Sequence, residues 1–197
     1  MSFRLGLTGS IGMGKSTTAG LFAGHGCAVW DADAAVHRLY AKGGAAVEPL
    51  ADIFDGVVRD GAISRERLKE IIQQQPDALK TIERIVHPLV AVDRADFVKS
   101  ATGDILVFDI PLLFETGGNA RMDAVACVSV PADVQQERVL SRGTMTLEQF
   151  EHIRSKQMPD AEKRALSDYV IVTDTPEHAE QQVAAIIEDI RKKLADA

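Results

Sequence analysis

The segment Gly9-Ser10-Ile11-Gly12-Met13-Gly14-Lys15-Ser16 carries the strongest chemical signal in the chain, fitting G-x-x-x-x-G-K-[ST]. Glycines let successive backbone N–H groups turn inward around a cluster of phosphate oxygens. A helix opening at Lys15 would add the positive end of its dipole. Lys15 supplies a charge for the β- and γ-phosphates, and the Ser16 hydroxyl suits Mg²⁺, which takes oxygen ligands and keeps several waters. A tight turn without a ligand would explain Gly9 and Gly14, but not a lysine and a serine directly after them. Gly12, Met13, Gly14, Lys15, Ser16 and Thr17 are therefore expected to hold a nucleoside triphosphate.

Three uses of the triphosphate compete: a small-molecule kinase, a switch, and a motor or ATPase module. Ile105-Leu106-Val107-Phe108-Asp109 reads as an apolar strand ending in a carboxylate that could help hold Mg²⁺. Ile110, Pro111 and Leu112 follow Asp109 where a switch would bring a glycine, and no N-K-x-D guanine-reading motif occurs. A motor would need a larger chain or partner elements. A kinase needs a carboxylate for the acceptor hydroxyl, cations for the transferring phosphoryl group, and a cover against water. Asp33 follows the second predicted strand, at the edge where open parallel sheets carry ligands, and is the candidate base. Asp33 could equally cap the helix that begins near Ala34, and Asp31 is a second candidate. Arg138, Arg142, Arg154, Lys156, Lys163 and Arg164 mark a candidate cover, or else a solvated helical face.

The elements that must position these groups follow from the apolar pattern. Strands are expected at Phe3–Thr8, Cys27–Trp30, Ile105–Ile110, Val125–Val130 and Tyr169–Val172. Helical patterns separate most of them, which implies an α/β fold with a parallel sheet covered on both faces. A helix is expected from Lys15 to His25, closed by Gly26. The interval 34–100 is mostly helical in pattern, without a convincing strand, and reads as an insertion. Ser64 can cap a helix with a Leu68, Ile71, Ile72 stripe, and His87-Pro88 predicts a kink or break. Thr146 and Gln149 suggest a capping box at the head of a second helical segment reaching Leu166. The last helix starts at Thr175-Pro176 and buries Val183, Ile186, Ile187, Ile190 and Leu194.

The composition fits this reading. The chain has 197 residues, 46% hydrophobic and 26% charged, with a net charge of −7. That suits one domain with an insertion, excludes a disordered chain, and offers no basic footprint for nucleic acid. Arg191-Lys192-Lys193 sits where cations complement a helix terminus. Apolar runs are too short to span a membrane, and the N-terminus lacks a secretion-signal pattern. Cys27 and Cys127 fit neither a disulfide framework nor a zinc site, so a cytoplasmic protein is expected. No oligomeric state follows from the sequence.

Taken together, the landmarks resemble the dephospho-CoA kinase family along nearly the whole chain. They are the Leu7–Ser16 stretch, Asp31-Ala32-Asp33, His87-Pro88, Pro111-Leu112-Leu113-Phe114-Glu115, Arg138 with Arg142, Gln157-Met158-Pro159 with Glu162-Lys163, and Asp168-Tyr169-Val170-Ile171. The resemblance implies a P-loop NTPase-type parallel sheet flanked by helices, with a helical substrate-binding insertion and a helical lid. On it, residues 1–33, 101–137 and 167–197 form the nucleotide-binding core, 34–100 the CoA-binding domain and 138–166 the lid. It implies Mg²⁺-dependent transfer of the γ-phosphoryl of ATP to the ribose 3′-hydroxyl of dephospho-CoA, a small-molecule partner. Asp33, Lys15 and Arg142 would be catalytic, with Arg138 and Arg142 on the ATP phosphates. Thr8, Asp33, His87, Leu112 and Leu113 would face the acceptor, and Ser16 and Asp109 the metal. His87 could instead be a satisfied histidine before a kink, and Glu115 a helix cap. The chain departs from the family pattern at Ser10, Met13 and Gly143, and at Val172-Thr173-Asp174-Thr175, so adenine contacts are not carried over there. A P-loop kinase of another small acceptor (a nucleotide or a sugar) and a nucleotide-binding switch module remain as alternatives.

Overall fold

In a computed structural model, residues 2–196 are described. Its elements in chain order are β1 (Phe3–Thr8), α1 (Lys15–Gly24), β2 (Ala28–Asp31), α2 (Ala32–Tyr40), α3 (Val47–Ala51), β3 (Val58–Arg59), β4 (Ala62–Ile63), α4 (Arg65–Gln74) and α5 (Ala78–Ser100). There follow β5 (Ile105–Asp109), β6 (Ala124–Ser129), α6 (Ala132–Ser141), α7 (Leu147–Ser155), α8 (Asp160–Ala165), β7 (Tyr169–Val172) and α9 (Pro176–Ala195). Contacts divide the chain into two units, 1–30 with 101–197, and 31–100.

The first unit is built on a five-stranded sheet of order β2-β5-β1-β6-β7. The β1–β5, β1–β6 and β6–β7 pairs are parallel. Every residue of β5 and β6 is buried, as expected of strands covered on both faces. Leu5, Leu7, Val107, Ala126 and Val128 share a core with Phe22 of α1 and with Val183, Ile187 and Ile190 of α9. Between Leu5 and Leu7, Gly6 turns toward Leu113 and Met122, so the other side of β1 is covered as well. Two aspartates clamp the strand entries. Asp123 accepts from the Arg4 amide at 2.7 Å, and Asp168 accepts from the Val125 amide at 2.8 Å. Asp168 is thus a sheet-register residue.

Register decides what meets at the carboxyl edge. Leu7 stands opposite Asp109, and Thr8 opposite Cys127. The turn that leaves β1 at Gly9 therefore starts beside the carboxylate that ends β5.

The second unit has its own core of Leu39, Leu50, Phe54, Val57, Ile63, Leu68, Ile71, Ile82 and Val86. Ser64 caps α4 through the Arg67 amide, and Arg38 of α2 forks onto Asp93 of α5 at 2.6 and 3.0 Å. Two expectations are corrected here. The interval does contain strands, for β3 and β4 pair antiparallel across Asp60-Gly61. Both turn residues have positive φ, 52° and 80°, the geometry an Asp-Gly hairpin turn favours. The helix also continues through Pro88 instead of breaking at His87. Arg84, whose carbonyl the proline leaves without its helical donor, is exposed and open to water, while Ile82 and Val86 anchor the turn in the core.

Cys27 and Cys127 are buried and free, and burial pushes the thiols up to about 11 and about 12. The terminal cations are paired, Arg191 with Asp104, Lys192 with Glu188 and Lys193 with Asp189. Among the described residues, no helix is long and apolar enough to cross a membrane.

Phe22 is fully buried between sheet and helices, so Phe22→Ala should cost about 3–5 kcal/mol, read as a lower urea midpoint followed by the near-ultraviolet signal of Trp30.

Candidate active site

The phosphate loop leaves β1 at Thr8 and enters α1 at Lys15. Gly12 and Gly14 adopt φ of 79° and 89°. A Cβ at Gly12 would lie 2.5 Å from Val139, and one at Gly14 would lie 3.0 Å from the Thr173 hydroxyl. Glycine is required at both positions by conformation and by close approach. Met13 is 2% exposed, and its side chain belongs to the core. Its amide donates to the Ser10 carbonyl at 3.2 Å, and its carbonyl accepts from the Thr173 hydroxyl at 2.7 Å. Any contact Met13 makes with a nucleotide would come from its main chain.

α1 begins without a side-chain cap and without an acidic residue in its first turn. Its first N–H groups and the positive end of its dipole are left for an anion. Ser16 and Thr17 are exposed on that turn. The Lys15 ammonium pairs with Asp109, which is 1% exposed.

A cavity of about 370 Å³ opens next to the loop, lined by Gly12, Gly14, Thr17, Arg138, Arg142, Thr173, Thr175 and Pro176 among others. Arg138 is fixed in its wall, donating to the Thr173 hydroxyl at 3.1 Å and to the Thr173 carbonyl at 2.6 Å. Arg142 follows α6 and is exposed. The two arginines give the cavity a cationic rim. Thr173, Thr175 and Pro176 carry no assigned site role in the sequence reading, which leaves the adenine contacts of the Val172–Thr175 stretch open. The signal was their position, since the turn after β7 leaves the same carboxyl edge as the phosphate loop.

A polar cluster lies beyond Asp109. The Pro111 carbonyl accepts from the Thr8 hydroxyl at 3.1 Å and from the Lys163 ammonium at 3.0 Å. Lys163 also pairs with Glu115 at 2.9 Å, and Glu115 accepts from the Met158 amide at 2.8 Å. Burial pulls the Glu115 carboxyl upward, but the bonds from Lys163 and Met158 outweigh it and hold it below its ordinary value. Lys163 itself has no exposed surface. It belongs neither to a solvated face nor to the free cations of a cover. Thr8 and Leu113 are likewise fully buried, Thr8 bound to Pro111 and Leu113 packed over Gly6 and Gly118. Their side chains are held within the fold, and Leu112, 41% exposed, presents the most open apolar surface of this turn.

Two glutamines have no role assigned from the sequence, Gln135 and the family landmark Gln157. Gln135, buried on α6, donates to the Ile11 carbonyl at 2.7 Å. Gln157, between α7 and α8, accepts from the Ile11 amide at 3.2 Å. Both contacts join residues more than a hundred positions apart, and no local pattern announces them.

In the second unit, Asp31 caps α2 through the Ala34 amide at 2.9 Å. Asp33 is therefore not the cap. It stands in the first turn, exposed, with no hydrogen bond or ion pair among the described residues. His87 is exposed on α5. Among the described residues no cluster of three or more His, Cys, Asp or Glu side chains could hold a metal.

Comparison with known proteins adds independent information. Residues 3–179 match the family model of dephospho-CoA kinase (CoaE). The dephospho-CoA kinase of Ruegeria pomeroyi is 68% identical over 191 residues, 97% of each chain. Among solved structures, TT1252 from Thermus thermophilus is similar with a TM-score of 0.83 at 28% identity, over 95% of this chain and 97% of its own. The dephospho-CoA kinase from Campylobacter jejuni shares the fold, with a TM-score of 0.70 at 23% identity, over 98% and 99% of the two chains.

Removing the buried partner should be costly, because it strands the opposite charge. Lys163→Met is expected to lower stability by about 3 kcal/mol, read in urea. Glu115 has a depressed folded value, so the stability it contributes is full above about pH 4.5 and is lost as pH falls through that lower value. The gap in urea midpoint between wild type and Glu115→Gln should be constant near neutrality and shrink in acid.

Proposed function

The chain belongs to the dephospho-CoA kinase family, and we propose that it transfers the γ-phosphoryl group of ATP to the ribose 3′-hydroxyl of dephospho-CoA, giving coenzyme A and ADP. The observation that carries this reading is the uncapped start of α1 under a glycine-bent loop, opening into a cavity with two arginines on its wall. The triphosphate sits against the amides of Gly12 to Thr17, with the nucleoside directed toward Thr173 and Pro176. Lys15 neutralises the β- and γ-phosphates once the nucleotide competes for it against Asp109. Arg142, exposed on the 138–166 segment that serves as the lid, and Arg138 take the remaining phosphate charge.

Asp33 is the acceptor-side base. Asp31 has taken the capping role and Asp33 has no partner among the described residues, so its carboxylate can accept the proton of the attacking hydroxyl. The ribose oxygen then bonds to the γ-phosphorus, the bond from that phosphorus to the bridging oxygen breaks, and ADP leaves. Residues 34–100 supply the remainder of the acceptor site, including His87, and Leu112 contributes apolar contact. Ser16 and Asp109 would hold Mg²⁺. A hydroxyl and one carboxylate suit an ion that binds through one or two protein oxygens plus phosphates and waters. When bound, that ion neutralises charge on the phosphates. Two free buried thiols suit a reducing cytoplasm.

ATP consumption across a panel of acceptors is the direct test. Dephospho-CoA should raise it strongly. Equal loss of ATP with every acceptor, or faster loss with a nucleotide or sugar, would refute the reading. Asp33→Asn should lower kcat by roughly 10²–10⁴-fold with ATP affinity nearly unchanged. Lys15→Ala should weaken ATP binding and turnover together, as measured by titration calorimetry and steady-state kinetics.

A further inference from the structure

Ile11 is the point at which the phosphate loop is gripped from outside. It lies two residues after Gly9 and directly before Gly12, so its peptide helps set where the following inward-facing amides point. Both of its polar main-chain groups are taken by side chains from other segments. Gln135 holds the carbonyl at 2.7 Å, and Gln157 holds the N–H at 3.2 Å. The next residue along the chain, Met158, donates its own N–H to Glu115 at 2.8 Å. Glu115 is paired with buried Lys163, which reaches back to the Pro111 carbonyl at 3.0 Å. Two adjacent residues therefore touch both sides of the chemistry. Gln157 holds the nucleotide loop, and Met158 holds the turn that follows Asp109.

We propose that Gln157 is a positioning residue for phosphoryl transfer, its side-chain oxygen orienting the Ser10–Ile11 peptide and thereby registering the phosphate loop to the turn after β5. The inference rests on the phosphotransfer reading above. Gln157 acts through Ile11 and need not touch either substrate. Its α6 counterpart Gln135 is buried and holds the next peptide, Ile11–Gly12, so the two glutamines grip Ile11 from both sides. Loss of one such bond permits small displacements of the loop, and displacement of reacting groups reduces turnover more than binding.

Two variants separate this role from plain packing. Gln157→Leu keeps the approximate size and removes the acceptor oxygen. Gln157→Glu keeps the oxygen and adds a negative charge near the triphosphate. Steady-state kinetics with ATP and dephospho-CoA should show kcat about tenfold lower for Gln157→Leu, with KM for ATP within about threefold of wild type. Gln157→Glu should keep kcat within about threefold while KM for ATP rises. Thermal midpoints, followed by circular dichroism, should stay close to wild type in both. An unchanged kcat in Gln157→Leu overturns the proposal. So does an equal loss of kcat in both variants accompanied by a lowered midpoint, which would mark a packing residue. If the wild-type protein fails to phosphorylate dephospho-CoA, the functional reading has failed instead, and the two failures are told apart by that first measurement.

Discussion

Parallel pairing of β1 with β5 is the constraint on which the site depends. It places Leu7 opposite Asp109, so the chain leaving β1 turns beside a buried carboxylate. The loop then enters α1, whose first residue carries the ammonium that meets Asp109. A one-residue slip would exchange the faces of β1 and expel Leu5 and Leu7 from the core, so the burial of those two residues also fixes the loop's starting point. Core packing and site geometry are thus one requirement at this edge.

Around that edge the loop is held by contacts from several directions. Thr173 binds the Met13 carbonyl, and the Val130 amide donates to the Met13 sulfur at 3.2 Å. The two glutamines hold Ile11. Thr8 and Lys163 converge on Pro111. A loop restrained in this way loses little conformational freedom when a phosphate arrives, and its inward amides are already arranged. Arg138 shares the restraint through Thr173, whereas Arg142 is exposed, so the two arginines of one short segment differ in freedom.

Much of this was legible in the sequence because it is local. Apolar runs gave β1 and β7 to the residue and the remaining sheet strands to within a residue or two. Ser64, Thr146 and Thr175 cap the helices that their spacing announced, the second through a full capping box. The phosphate loop lies between the expected strand and helix. What escaped notice was either too short or too distant. The β3–β4 hairpin has two residues per strand, below the length at which alternation can be read, although Asp60-Gly61 was a usable turn signal. Asp31 and Asp33 offered the same carboxylate two residues apart, and only the fold decided which one caps α2. Lys163, within a run of charged residues on a six-residue helix, gives no local sign that it will be entirely enclosed.

The two cysteines carry a practical consequence. With thiols at about 11 and about 12, only ~1 in 10⁴ or fewer is ionised at neutral pH, and both are shielded. Maleimides and similar alkylating dyes should therefore leave the native protein almost unlabelled. A single cysteine introduced on an exposed surface would react nearly alone, which makes the wild-type background ready for site-specific fluorophores or spin labels without prior removal of either sulfur.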